Sequence, residues 1–166
     1  MAARRGALWW SLTVVLALAV LATAGFGAWQ AVRAEPVPPA DSAQARQVVI
    51  DVAKSSAVKM LSYTPENVET QTREAAEGMT GAFRNYYTQF THDVVVPAAK
   101  SKGVDTSATV PGVAVESLSA DAATLILFIN QSTTSAAAAP TTANSSVRLG
   151  LQKINGAWLI AKFDPL

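Results

Sequence analysis

With 166 residues, a formal charge of +1 and no cysteine, the chain excludes a disulfide framework, a thiolate zinc site and a lipid-bearing cysteine anchor. Three of its 13 basic residues, Arg4, Arg5 and Arg33, flank an uncharged run at residues 6–32. What remains sets 10 Lys and Arg against 12 Asp and Glu, a net negative balance that argues against nucleic acid, which needs a basic footprint.

As a helix the uncharged run reaches roughly 40 Å, more than the ~30 Å of a bilayer's hydrocarbon core. Trp9, Trp10 and Trp29 stand near its ends, where indole rings favour the membrane interface. Arg4 and Arg5 precede the run and only Arg33 closely follows it, so the positive-inside bias puts the N-terminus in the cytoplasm and the rest outside. The rival is a cleaved signal peptide, with small-x-small sites at Ala22-Thr23-Ala24 and Val32-Arg33-Ala34. The run exceeds the ~7–15 apolar residues of a typical signal, which favours a retained anchor in the plasma (inner) membrane.

Pro36, Pro38 and Pro39 make residues 34–41 a short stiff spacer. Asp41 or Ser42 then caps a helix whose stripe of Ala45, Val48, Val49, Val52, Ala53, Ser56, Ala57, Met60 and Leu61 keeps i, i+3, i+4 spacing. Thr64 and Pro65 read as the start of a second helix running to about Glu77. A third begins near Thr80, carries Phe83, Tyr86, Tyr87, Phe90 and Val94 on its apolar side, and ends before Gly103 with a bend at Pro97.

From Val104 the period becomes two, and Pro111-Gly112 implies a bulge in the first strand. Thr124–Ile129 is a continuous apolar run and reads as a central strand covered on both faces. Residues 132–144 are low in complexity and read as a mobile loop. Asn155-Gly156 marks a two-residue hairpin. It pairs Ile154 with Ala157, Lys153 with Trp158 and Leu151 with Ile160. Leu149, Leu151, Trp158 and Ile160 then share the core face, with Arg148, Gln152, Leu159 and Phe163 opposite. Helices first and strands together give an α+β class. The expected architecture is an N-terminal transmembrane helix followed by a cone-like domain of three helices packed on a curved four-stranded antiparallel sheet. Residues 1–33 are the cytoplasmic tip and anchor, and 42–166 the extracytoplasmic domain.

Chemistry-bearing residues are sparse. His92 is the only histidine, beside Asp93 on a helix, and a surface histidine is the simpler reading. Glu66, Glu69, Glu74 and Glu77 crowd the second helix and read as a solvated face, the first two favoured by the helix dipole. Tyr63, Phe83, Tyr87 and Phe90 line either a cavity or the core. Asn130 and Gln131 hold a ligand or partner, or satisfy strand-end backbone groups. Trp158 completes the set of cavity or partner-contact candidates. No phosphate loop, nucleophile elbow or nucleotide fingerprint is present.

Leu127-Phe128-Ile129-Asn130-Gln131-Ser132-Thr133-Thr134, Asn155-Gly156-Ala157-Trp158-Leu159-Ile160 and Phe163-Asp164-Pro165-Leu166 resemble the Mce-associated membrane proteins of actinobacteria. Met60-Leu61-Ser62-Tyr63, Thr80-Gly81-Ala82-Phe83 and Val96-Pro97-Ala98-Ala99-Lys100 match that pattern in order. The resemblance implies an extracytoplasmic domain of the nuclear transport factor two-like (NTF2-like) kind, similar to assembly proteins of type IV secretion. It implies a non-enzymatic accessory role that stabilises Mce lipid or sterol importers, with transporter subunits, related accessory proteins or further copies of the chain as partners. It carries over no catalytic residue, cofactor or metal. Two alternatives stand beside it: a lipid- or steroid-binding module with the cone as pocket, and an isomerase-like enzyme of the same fold.

Overall fold

The computed structural model describes residues 41–136 and 138–166. They fall in the second of the two units into which the chain divides, Pro38–Leu166. The expected anchor lies outside the described residues, as does the spacer apart from Asp41. Among the described residues no helix is long and apolar enough to cross a membrane.

The Ser42 hydroxyl accepts from the Ala45 N–H at 3.1 Å and starts α1, Ala43–Leu61. Val49, Ala53, Ala57 and Met60 are its buried line. Because these side chains are small, the helix lies close against the sheet. The second helix, α2, spans Val68–Glu77 and so starts later than Thr64-Pro65 implied. Asn67 turns its side-chain oxygen back to the Thr64 N–H at 2.7 Å, and this closed turn takes up the residues before the helix. α3, Gly81–Phe90, runs into a π-helical turn at Thr91–Val95, which leads to α4, Val96–Lys102. The bend expected at Pro97 thus falls just before it. Proline has no N–H for the carbonyl four residues back, and the wider turn accommodates that gap.

Gly103 closes α4 in the left-handed region (φ 61°), and a Cβ there would meet the Ala136 Cβ at 3.3 Å. We expect Gly103→Ala to lower stability by about 1–2 kcal/mol, measured by urea unfolding against the parent chain.

Four antiparallel strands follow in the order β1-β2-β3-β4: Asp105–Leu118, Ala122–Ser135, Ala138–Ile154 and Ala157–Pro165. The register of β1 on β2 shifts between Thr109 and Gly112, where Pro111-Gly112 led us to expect a bulge. Residues 132–144 are not a loop. They complete β2 and begin β3, with Ser132 opposite Thr142 and Thr133 opposite Thr141. Serine and threonine fit a pleated, exposed surface, and low complexity hid that pairing.

Thr124–Ile129 is covered on one face only. Leu125, Leu127 and Ile129 are at most 1% exposed, whereas Phe128, pointing the other way, is 51% exposed. The hairpin turns at Asn155 (φ 52°) and Gly156 (φ 85°), with the expected pairs Ile154–Ala157, Lys153–Trp158 and Leu151–Ile160. Beyond them Gly150 pairs with Lys162, so Ala161 is an extra residue on β4. One extra residue reverses every later side chain. Phe163 therefore sits opposite Leu149 on the core face, not on the outer face expected from uninterrupted alternation.

Leu125, Leu127, Leu149, Leu151 and Ile160 of the sheet meet α1 and Met79 in one core. Each such side chain contributes roughly 1.5–3 kcal/mol on burial. Single-residue bridges from the helical layer cover part of each sheet edge: Tyr63 on Thr106 of β1 and Met79 on Ile160 of β4.

Candidate functional site: an aromatic groove at the end of α1

The last carbonyls of a helix have no partner within it. In α1 three of them are met by side chains from three other elements. Gln71 Nε2 donates to the Lys59 carbonyl at 3.1 Å, the Tyr87 hydroxyl to Met60 at 3.2 Å, and Thr106 Oγ1 to Leu61 at 2.6 Å. Gln131 Nε2 donates in turn to Thr106 Oγ1 at 2.9 Å. This convergence fixes where α2, α3, β1 and β2 stand around the end of α1.

A groove of about 360 Å³ opens there, within the range of small-ligand sites. Tyr87, 8% exposed, forms its floor. Phe83, one turn earlier on α3, lies 6.4 Å from Tyr87 and 6.3 Å from Phe163, centroid to centroid. Tyr86 and Phe90, stacked at 5.8 Å with an interplanar angle of 9°, stand at the rim. They are 63% and 42% exposed. Tyr63, Gln131, Val95 and Pro165 complete the walls.

Of the seven residues singled out from sequence, Tyr63, Phe83, Tyr87, Phe90 and Gln131 meet in this groove. Asn130 and Trp158 do not. Asn130 lines a separate depression, and Trp158 packs under the Lys153 ammonium, 5.6 Å from its ring centroid. Phe163 was missed because its position depends on the bulge at Ala161. Thr106 and Gln71 were missed because capping of a helix end by distant side chains leaves no local signal.

Burial pushes the Tyr87 hydroxyl well above the usual tyrosine range, and neighbouring Tyr63 adds to the rise. Burial also raises Tyr63. With its proton committed to the Met60 carbonyl, Tyr87 is a structural donor rather than an acid or base at neutral pH. His92 is exposed and hydrogen-bonds Asp93 at 2.7 Å. Glu69 meets Lys100 at 2.7 Å, a bond that holds its carboxyl below the usual range. Glu74 meets Lys59 at 3.5 Å. Among the described residues no three His, Asp or Glu side chains converge to hold a metal. The groove can take an aliphatic or aromatic group and orient one polar atom, but it presents no proton-transfer pair.

Three helical pieces on a strongly curved antiparallel sheet are the cone of NTF2-like domains. An NTF2-like superfamily protein from Salmonella enterica matches with a TM-score of 0.51 at 8% identity, over 73% of this chain and 92% of that one. An IcmL-like type IV secretion system protein from Legionella pneumophila matches with a TM-score of 0.61 at 12% identity, over 73% and 93%. The chain belongs to the family described as Uncharacterized protein Rv1363c/MT1408-like, which matches residues 7–162. A relative from Mycobacterium tuberculosis, Outer membrane protein Rv1973, is 44% identical over 153 residues, 91% of each chain.

Proposed function

We propose that this chain is a non-enzymatic, single-pass membrane accessory protein of the cell envelope, whose extracytoplasmic domain docks on and stabilises an Mce-type lipid or sterol import complex. The observation that carries docking is the exposed stack of Tyr86 and Phe90 beside a preformed groove. A large aromatic pair exposed next to a pocket is the usual anchor of a protein interface. The uncharged run at residues 6–32 and the printed name of the M. tuberculosis relative support the membrane setting. The likeness of the chain's motifs to Mce-associated proteins supports the choice of complex. A domain tethered beside its partner gains effective concentration, so a modest interface suffices.

Tagged full-length protein, extracted from its native envelope in mild detergent, should bring down Mce and permease subunits identifiable by mass spectrometry. A freely secreted mature protein, or a preparation without those subunits, speaks against the proposal.

A second reading is favoured by the groove's apolar walls and single amide. In it the occupant is the acyl or sterol part of a lipid. The centre of the cone is packed by Leu125, Leu127, Leu149, Leu151 and Ile160, so such a ligand sits in the groove rather than inside the cone. Lipid retained by the purified protein and lost in Phe83→Trp supports it; a lipid-free native mass spectrum refutes it.

A further inference from the structure

The outer face of the sheet, away from the helices, changes character along its length. Near the Asn155–Gly156 turn it is charged, with Glu116 tied to Arg148 at 3.0 Å. Toward the opposite end the charges stop. From Ala122 to Val147 the sequence has none.

Three rows cross β1, β2 and β3 in this neutral half. The first is Gly112–Phe128–Ser146, the second Thr109–Asn130–Asn144, the third Ser107–Ser132–Thr142. Because alternate residues share a face, the rows present an aromatic ring, then two amides, then three hydroxyls. Phe128 is held by Gly112, where an added Cβ would stand 3.1 Å from the ring. Ser146, its other neighbour, is also small. The ring is thus braced from one side and 51% exposed.

Phe128, Asn130, Asn144 and Ser146 line one depression of about 570 Å³. The side-chain hydrogen bonds nearby, Gln131 to Thr106 and Thr141 to Thr133, lie on the other face. The Asn130 and Asn144 amides therefore have no partner among the described residues. Each offers donors and an acceptor in a plane.

From this arrangement we infer that the outer sheet face is a binding site for a neutral saccharide chain. An exposed aromatic ring stacks on the C–H face of a pyranose, and paired amides hydrogen-bond adjacent hydroxyls as both donor and acceptor. A polyanion would need basic residues, which this half lacks. A charged headgroup would find no counter-ion there. An open rank of uncharged donors and acceptors beside one aromatic platform fits an uncharged, hydroxyl-rich polymer. The inference shares with the preceding section only the extracytoplasmic location, since the aromatic groove lies across the sheet from this face.

The test uses full-length protein in a non-glycosidic detergent. Binding of hexasaccharides of N-acetylglucosamine and of glucose is followed by calorimetry. Saturable binding of at least one is expected, weakened about tenfold by Asn130→Ala or Asn144→Ala, each of which removes a hydrogen-bonding amide. Phe128→Leu keeps an apolar side chain against Gly112, removes the flat ring and should weaken binding comparably. Phe90→Ala, in the other groove, should leave it unchanged. The inference is overturned if neither hexasaccharide binds saturably, or if the two asparagine variants bind as the parent does. A dimer in which Thr142→Cys is shielded from a thiol label overturns it too, by giving the face to a second copy.

Discussion

Tyr87→Ala should lower the unfolding free energy by about 3–5 kcal/mol, the range for truncating a buried aromatic, while Tyr87→Phe should cost only about 1 kcal/mol. Tyr87 has two separable roles. Its ring fills the groove floor between α1 and α3, and its hydroxyl satisfies the Met60 carbonyl at the end of α1. The alanine variant loses both and the phenylalanine variant loses the second. Urea unfolding of the two variants and the parent separates them; equal losses would mean that the hydroxyl contributes all of the effect.

Alkali supplies an independent check. The folded-state tyrosine keeps its proton above the unfolded value near pH 10. Its contribution is therefore complete below pH 10 and is lost as pH rises above it, by up to about 1.4 kcal/mol per pH unit. Tyr87→Phe should show a shallower fall over the same window.

The second large effect is on association. Tyr86→Ala combined with Phe90→Ala removes the exposed stack and should weaken capture of transporter subunits by roughly thirtyfold, about 2 kcal/mol. Both side chains are exposed, so unfolding should shift by no more than about 0.5 kcal/mol for each. Loss of capture at unchanged stability places the interface on the groove rim. Unchanged capture removes the rim from the interface.

How much of this could be read from the chain alone depends on how local the causes are. The α1 stripe, the Asn155-Gly156 turn and the pairing of Leu151 with Ile160 follow from spacing and turn chemistry within a few residues. Five groove residues also came together because Phe83, Tyr87 and Phe90 share a helix side and the Tyr63 and Gln131 segments run past its end. Non-local causes were hidden. The extra residue at Ala161 moves Phe163 to the other face, and nothing in Ile160-Ala161-Lys162-Phe163 announces it. The Ser/Thr/Ala stretch at 132–144 has no hydrophobic alternation, since neither of its faces is fully buried. It is strand because β1 and β3 flank β2 there. Phe128 looked like core because an apolar run gives composition without direction.

The π-helical turn at Thr91–Val95 holds one residue more than an α-helical path would need. Indels along the chain therefore differ sharply in consequence. Removing a single residue there, Val94 for example, lets the helix close its ordinary ladder while turning everything downstream by about 100° and drawing it back about 1.5 Å. Lys100 leaves Glu69, and Gly103 leaves its seat against Ala136. Val95, now part of the groove wall, turns to another side. Among relatives, helix length between Phe90 and Pro97 is thus a marker of groove shape: sequences one residue shorter should keep the sheet and its core but carry a differently walled site.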